Sequence, residues 1–270
     1  VSFSSQIGVL LASIMYHVAI SFEEITWLWK MNFVLGGAFG LIIVLLRGYL
    51  QESAVFLKNK AKHSASVDSS MISIIAKNQG KFLLGMVVSG MLGGGYHFLV
   101  IFLGAFAANV ADIIPPDQAT SSNVMLISLY GMSCLVSGYI ADKTRQHLQI
   151  IISLMCSIAC VLAMEYMLQQ GVFIKELHYA LAFLTPFYSV PCAIKIQSLF
   201  ATRVRMRMFS LSHSVGSMVF SSTTPFICMV IWKNSVSISV VIGYFLLQLI
   251  LLLCAMIYIT KKDYEIMFET

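Results

Sequence analysis

The sequence predicts an all-α integral membrane protein with eight transmembrane helices, and three observations carry that reading. Hydrophobic residues make up 59% of the 270 residues and charged residues 11%, whereas soluble domains carry about 45–50% and about 25%. The mean hydropathy is +0.86, and the apolar residues gather into runs of roughly 17–25, the length a helix needs to cross a hydrocarbon core of about 30 Å. The runs are continuous rather than alternating, and barrel strands need only about 10 residues, so helices are the spanning structure.

In chain order the predicted helices cover Ile7–Phe22, Trp27–Leu46, Phe82–Val110, Val124–Ile140, Leu148–Leu168, Leu177–Leu199, Phe209–Trp232 and Val236–Ile259. The first carries Tyr16 and His17. The third carries Gly93-Gly94-Gly95 followed by Tyr96-His97. The fifth has Glu165 close to its outer end, where water solvates it. The sixth holds Pro186 and Pro191 around Phe187-Tyr188-Ser189. The seventh has His213 between Ser212 and Ser214 and, further on, Pro225 after Ser221-Ser222-Thr223-Thr224. Proline removes an intrahelical bond and glycine weakens a helix, so each break is expected to expose backbone groups toward a cavity. The bland reading of the same residues is close helix packing.

Orientation follows from the connectors. If the chain starts inside, one face receives Arg47, Lys58, Lys60, Lys62, Lys77, Lys81, Lys143, Arg145, Arg203, Arg205, Arg207, Lys261 and Lys262, and the other only Lys30, Lys175 and Lys233. Lys195 lies near the cytoplasmic end of its helix and can snorkel. The asymmetry predicts that both termini are cytoplasmic. It also explains the net charge of +5 without nucleic acid, because the cations sit in short connectors and form no binding face. The long polar, basic, Ser-rich stretch between the second and third helices reads as a cytoplasmic linker.

Several chemistries are not expected. The six cysteines lie in or at the ends of apolar runs and act as small hydrophobes. His17, His97 and His213 fall on different helices with no metal-binding His pair, and Gly131-Met132-Ser133-Cys134 lacks the second glycine of a nucleophile elbow. The sequence therefore gives no catalytic constellation, metal site or cofactor motif, and an enzyme is not expected. Broken helices instead suit a transporter, whose solute sites are built from such breaks. No initiator Met or signal features occur at Val1, so an upstream part is expected.

The connector after the fourth helix reads Gly138-Tyr139-Ile140-Ala141-Asp142-Lys143-Thr144-Arg145. A glycine four residues before an aspartate lets helices approach, and a carboxylate among cations at the membrane face can latch one bundle to another. This stretch resembles the Gly-x-x-x-Asp-Arg/Lys-x-Gly-Arg-Arg/Lys loop motif of the major facilitator superfamily, with Gly138, Asp142, Lys143 and Arg145 as the matches. The segment from Arg47 through Gln51-Glu52-Ser53 to Phe56 resembles the Arg…Pro-Glu-Ser-Pro-x-Phe segment after that fold's sixth helix. Leu199-Phe200-Ala201-Thr202-Arg203-Val204-Arg205 is similar to the Leu-Phe-Pro-Thr-x-x-Arg connector of the metabolite:proton symporters, which include proline/betaine and organic-acid transporters. Trp27-Leu28-Trp29-Lys30-Met31 resembles the Trp-x-Trp-Arg-x-Pro start of the sixth helix.

The resemblance implies the C-terminal two thirds of a major facilitator fold: residues 1–46 as the last two helices of the N-terminal bundle, 47–81 as the linker, and 82–270 as the six-helix C-terminal bundle. It implies alternating access in a bacterial cytoplasmic (inner) membrane, moving a small polar solute such as an osmolyte, amino acid or organic acid, with protons as the candidate coupling ion. The competing reading is a truncated, transport-incompetent remnant of such a transporter. The expected solute contacts are Tyr96, His97, Tyr188 and Ser189, with Tyr16 or His17 from the partial bundle; Tyr130 is a further polar group able to line a cavity. No central carboxylate occurs in these helices, so a proton is carried by a group on helices outside this chain, by His97, or not at all. Asp142 is expected to point at the amino end of the first helix near Ser2–Ser5, where exposed N–H groups favour a carboxylate.

Overall fold

In the computed structural model, the described residues are 2–21, 30–49, 71–110, 116–170, 172, 175–201 and 204–269; side chains are described for all of these but 2, 16–21, 32, 116–120 and 262–269. Among them the regular structure is helical: α1 (Ser2–Ser21), α2 (Met31–Arg47), α3 (Met71–Lys77), α4 (Gln79–Tyr96), α5 (Gly104–Asn109), α6 (Pro116–Lys143), α7 (Gln146–Gln169), α8 (Lys175–Ser198), α9 (Arg205–Gly216), α10 (Thr224–Ser235) and α11 (Ile238–Glu269). A π-helical segment at His97–Leu103 joins α4 to α5, and a second at Ser217–Ser221 follows α9. Six of the resulting rods are long and apolar enough to cross a membrane, and Phe3–Met15 and Phe33–Arg47 are shorter apolar helices. The chain is an all-α integral membrane protein.

Local chemistry explains where the rods begin and end. Pro116 opens α6, where its missing N–H costs nothing, and Lys143 closes it beside the negative end of the helix. In α8 the charges also complement the dipole, with Glu176 in the first turn and Lys195 in the last. Val236 ends α10 in the left-handed conformation at φ 49°, and its N–H bonds the Trp232 carbonyl at 2.8 Å.

The chain divides into two compact units, Val1–Leu10 with Asn78–Thr270, and Leu11–Lys77. In the smaller unit, every described residue of α2 from Phe33 to Arg47 is exposed.

In the larger unit α4 is the hub, packing on α9, the second π segment, α11 and α8, while α6, α7 and α8 form a three-helix cluster. The crossing of α4 with α9 is set by small residues. A Cβ at Gly90 would lie 2.7 Å from the Gly216 carbonyl oxygen, and one at Gly216 would overlap the Met86 carbonyl. Backbone meets backbone there, the close approach that small residues permit in membranes. Beyond the crossing an aromatic ladder runs along the span: Phe98 stacks on Phe245 at 4.4 Å between centroids, Phe102 on Phe106 at 5.1 Å, and Phe106 meets Trp232 edge-on at 4.9 Å. Residues four apart share a helix face, so this run presents one wall to α10 and α11.

Candidate functional site

The glycine triplet does not break its rod. Gly93, Gly94 and Gly95 remain in α4, and each faces a different neighbour: a Cβ on Gly93 would strike Ser221, one on Gly94 would come within 3.1 Å of Thr224 and Gln248, and one on Gly95 would come within 3.4 Å of the Tyr188 hydroxyl. The expected exposure of backbone at this point is replaced by close packing on three sides. Just past the triplet the π segment begins at His97, and distortions of this kind re-aim side chains and recur at functional sites.

Tyr96 and His97 point in different directions from this junction. The Tyr96 hydroxyl donates to Gln6 Oε1 at 3.2 Å, and its ring meets Tyr130 edge-on at 5.2 Å. Tyr130 is the hub of a polar cluster: its hydroxyl lies within hydrogen-bonding reach of Ser189, with Cys134, Tyr188 and Tyr96 around it. Ser189 is half-buried. Tyr188 is only 1% exposed, its hydroxyl 3.5 Å from Thr185 Oγ1, so it packs as core against the cluster. The groups gathered here are neutral donors and acceptors, suited to hydrogen-bonding a polar solute and offering it no formal charge.

His97 is turned a little more than a quarter circle round the helix from Tyr96, the two rings meeting edge-on at 5.9 Å. Its Nδ1 is 2.8 Å from the Gly93 carbonyl oxygen and 2.8 Å from Ser221 Oγ. A second amide sits one turn away around α4: Gln248 Nε2 is 3.4 Å from Thr224 Oγ1, and Gln248 Oε1 is buried with no partner among the described residues. His213 is exposed and stacks on Phe209. The side chains of Tyr16 and His17 lie outside the described residues.

The proline breaks of α8 are stitched to its neighbours. Pro191 has no N–H to give the Phe187 carbonyl four residues back, and Gln149 Nε2 donates to that oxygen at 3.1 Å. Ser137 Oγ donates to the Pro186 carbonyl at 2.8 Å and lies 3.0 Å from Gln149 Nε2. The carbonyl freed by Pro191 is thus satisfied by a side chain of an adjacent helix, which corrects the expectation of backbone open to a cavity at that break.

The connector after α6 also differs from expectation. No described atom comes within 4 Å of a Cβ at Gly138, so this glycine is not at a close approach. Lys143 is engaged by Tyr139, through its hydroxyl and its ring face. Asp142 is exposed and forms no ion pair with a described residue. Gln6 packs at the level of Gly131, eleven residues before Asp142. At 1.5 Å per residue the start of α1 therefore lies about 10 Å or more from Asp142, and the latch to Ser2–Ser5 is not formed.

Sequence reasoning missed Gln6, Gln149 and Gln248, and also His178, which is buried and bonds the Leu99 carbonyl at 2.8 Å through Nε2.

The chain is similar to a citrate-proton symporter of Salmonella typhi, 22% identical over 232 residues, which are 83% of this chain and 52% of that protein. It is also similar to the inner membrane metabolite transport protein YhjE of Escherichia coli (strain K12), 23% identical over 211 residues, 76% of this chain and 48% of that protein. The chain spans about half the length of the curated relatives it matches. No family model matches it. At this identity the likeness is to membrane transporters as a class.

Proposed function

We propose that the chain belongs to a secondary transporter of the major facilitator type that moves a small polar metabolite across a cytoplasmic membrane by alternating access, with protons as the coupling ion. The observation that carries this reading is the buried polar cluster around Tyr130, set inside a bundle of membrane-crossing helices in a chain similar to two transport proteins. Buried polar groups at membrane depth mark solute and ion paths. Tyr96, Tyr130, Ser189 and Gln6 hydrogen-bond the solute, and His97 carries the proton. The long linker and both termini are cytoplasmic, as the Lys/Arg asymmetry requires. A solute bearing carboxylates, as the name of the first relative indicates for that protein, would find its cationic partner on helices outside this chain, since the Tyr130 cluster is neutral.

Uptake by cells expressing the gene product, with labelled organic acids, amino acids and osmolytes, tests the reading. One class should accumulate, and Tyr130→Phe should raise KM about five- to tenfold with expression intact, as expected for the loss of one buried hydrogen bond of about 1–1.5 kcal/mol. Accumulation of none of the panel, or a Tyr130→Phe protein with unchanged KM, defeats it.

A further inference from the structure

A cleft of about 420 Å³ opens between α6, α7 and α8 beside the α6–α7 connector, and the transport reading leaves it unused. Its walls are apolar: Leu148, Ile152 and Cys156 of α7 face Phe183 and Phe187 of α8. All but Phe187 are exposed, so the cleft opens along the outer surface of a membrane-spanning bundle. Its end is polar, with Thr144 and Arg145 at the mouth. Gln149 holds the floor by tying α7 to Ser137 of α6 and Phe187 of α8.

The charge at the mouth has a definite sign. Lys143 is occupied by Tyr139, whereas the exposed Arg145 side chain has no partner among the described residues. Arg145 is also the residue immediately before α7 and makes no side-chain cap there, so the guanidinium and the positive end of the helix act together. Asp142, the acid of this connector, does not line the cleft. Apolar walls several residues long with an anion-seeking mouth match one amphiphile with a negative head. A free phosphate would leave the walls unused, and a neutral lipid would leave the charge unused.

We propose that this cleft binds an anionic phospholipid, with an acyl chain against Leu148, Ile152, Cys156 and Phe183 and the phosphate on Arg145, the Thr144 hydroxyl being committed to the Ile140 carbonyl. The site needs only that the connector lie at headgroup level, as a connector between two spans does, and is independent of the solute carried.

Native mass spectrometry of the purified full chain, titrated with dioleoyl phosphatidylglycerol, dioleoyl phosphatidylcholine or inorganic phosphate, provides the test. Phosphatidylglycerol should be retained in preference to phosphatidylcholine. Arg145→Gln should weaken it about fivefold, the effect of one basic residue near an anionic headgroup, and Arg145→Lys should restore most of it. Ile152→Trp, which fills the cleft from an exposed position, should lower phosphatidylglycerol retention and leave phosphatidylcholine adducts unchanged. Equal retention of the two lipids overturns the proposal, as does Arg145→Gln with no effect. Displacement by inorganic phosphate together with an ineffective Ile152→Trp overturns it in favour of a simple surface anion site.

Discussion

His97 Nδ1 and Ser221 Oγ lie 2.8 Å apart and join the two π-helical segments of the bundle, one at the first residue of its segment and the other at the last. The same nitrogen is 2.8 Å from the Gly93 carbonyl. A carbonyl oxygen can only accept, so Nδ1 carries the hydrogen and Nε2 keeps the lone pair. In the proposed coupling Nε2 is therefore the nitrogen open to a proton, and its use leaves the bond that fixes the ring in place. Coupling through this site predicts that His97→Gln, which retains a donor for Gly93, leaves solute exchange intact and abolishes its dependence on the pH gradient. Ser221→Ala, which leaves the Gly93 bond, should keep coupling and lower stability by about 0.5–1.5 kcal/mol. Counterflow and gradient-driven uptake in proteoliposomes separate the two; a His97→Gln protein still driven by the gradient would reduce this histidine to packing.

The glycines of the larger unit predict opposite signs. Gly216→Ala drives a methyl group into the Met86 carbonyl, backbone that cannot rotate away, and should cost about 1–3 kcal/mol or prevent assembly. Gly104→Ala meets nothing described within 4 Å at φ −65°, and should stabilise by about 0.5–1 kcal/mol through helix propensity alone. Thermal melting of the two variants in one detergent checks the pair. Equal melting temperatures would mean that the α4–α9 crossing is not set by its glycines.

The helices were legible because spanning is a one-dimensional property: a long apolar run has few other fates. The directions of single side chains were not. Tyr96 and His97 are adjacent in sequence, but one residue turns a helix through a little more than a quarter circle, enough to send one toward Gln6 and Tyr130 and the other toward Ser221. Gly93, Gly94 and Gly95 are separated in the same way onto three neighbours. Gln149 and Gln6 lie near the ends of apolar runs, where an amide reads as surface, and only the spatial neighbours reveal their partners. Gln248 did carry a signal, since it is the one amide within Val240–Ile259 and must find a buried partner there.

The pairing of Gln149 with the carbonyl freed by Pro191 gives a coupled prediction. Gln149→Leu strands the Phe187 oxygen and should cost about 1–3 kcal/mol. Pro191→Ala supplies an N–H to that oxygen from within α8, so the same Gln149→Leu change should cost about 1 kcal/mol less in the Pro191→Ala background. A double-mutant cycle on thermal stability reads the coupling. Strict additivity would show that the Phe187 carbonyl gains nothing from Gln149 and that the Ser137 contact accounts for the whole cost.

Orientation is decided at the two ends of the spans, where Thr144 and Ser235 are both exposed. Thr144 follows Lys143 and precedes Arg145 at the α6–α7 junction, while the α10–α11 junction has only Lys233, in the last turn of α10. The positive-inside rule therefore puts Thr144 in the cytoplasm and Ser235 outside. Helix count agrees, because α7, α8 and the rod from α9 to α10 separate the two positions by three crossings, an odd number. Single cysteines at these positions, in a background with the six native cysteines replaced, should differ accordingly: Ser235→Cys labels with an impermeant maleimide in intact cells, and Thr144→Cys only after permeabilisation. The reverse pattern would invert the whole bundle, placing the Ser-rich linker and both termini outside. Labelling of both positions in intact cells would contradict the odd number of crossings and with it the assignment of these rods as spans.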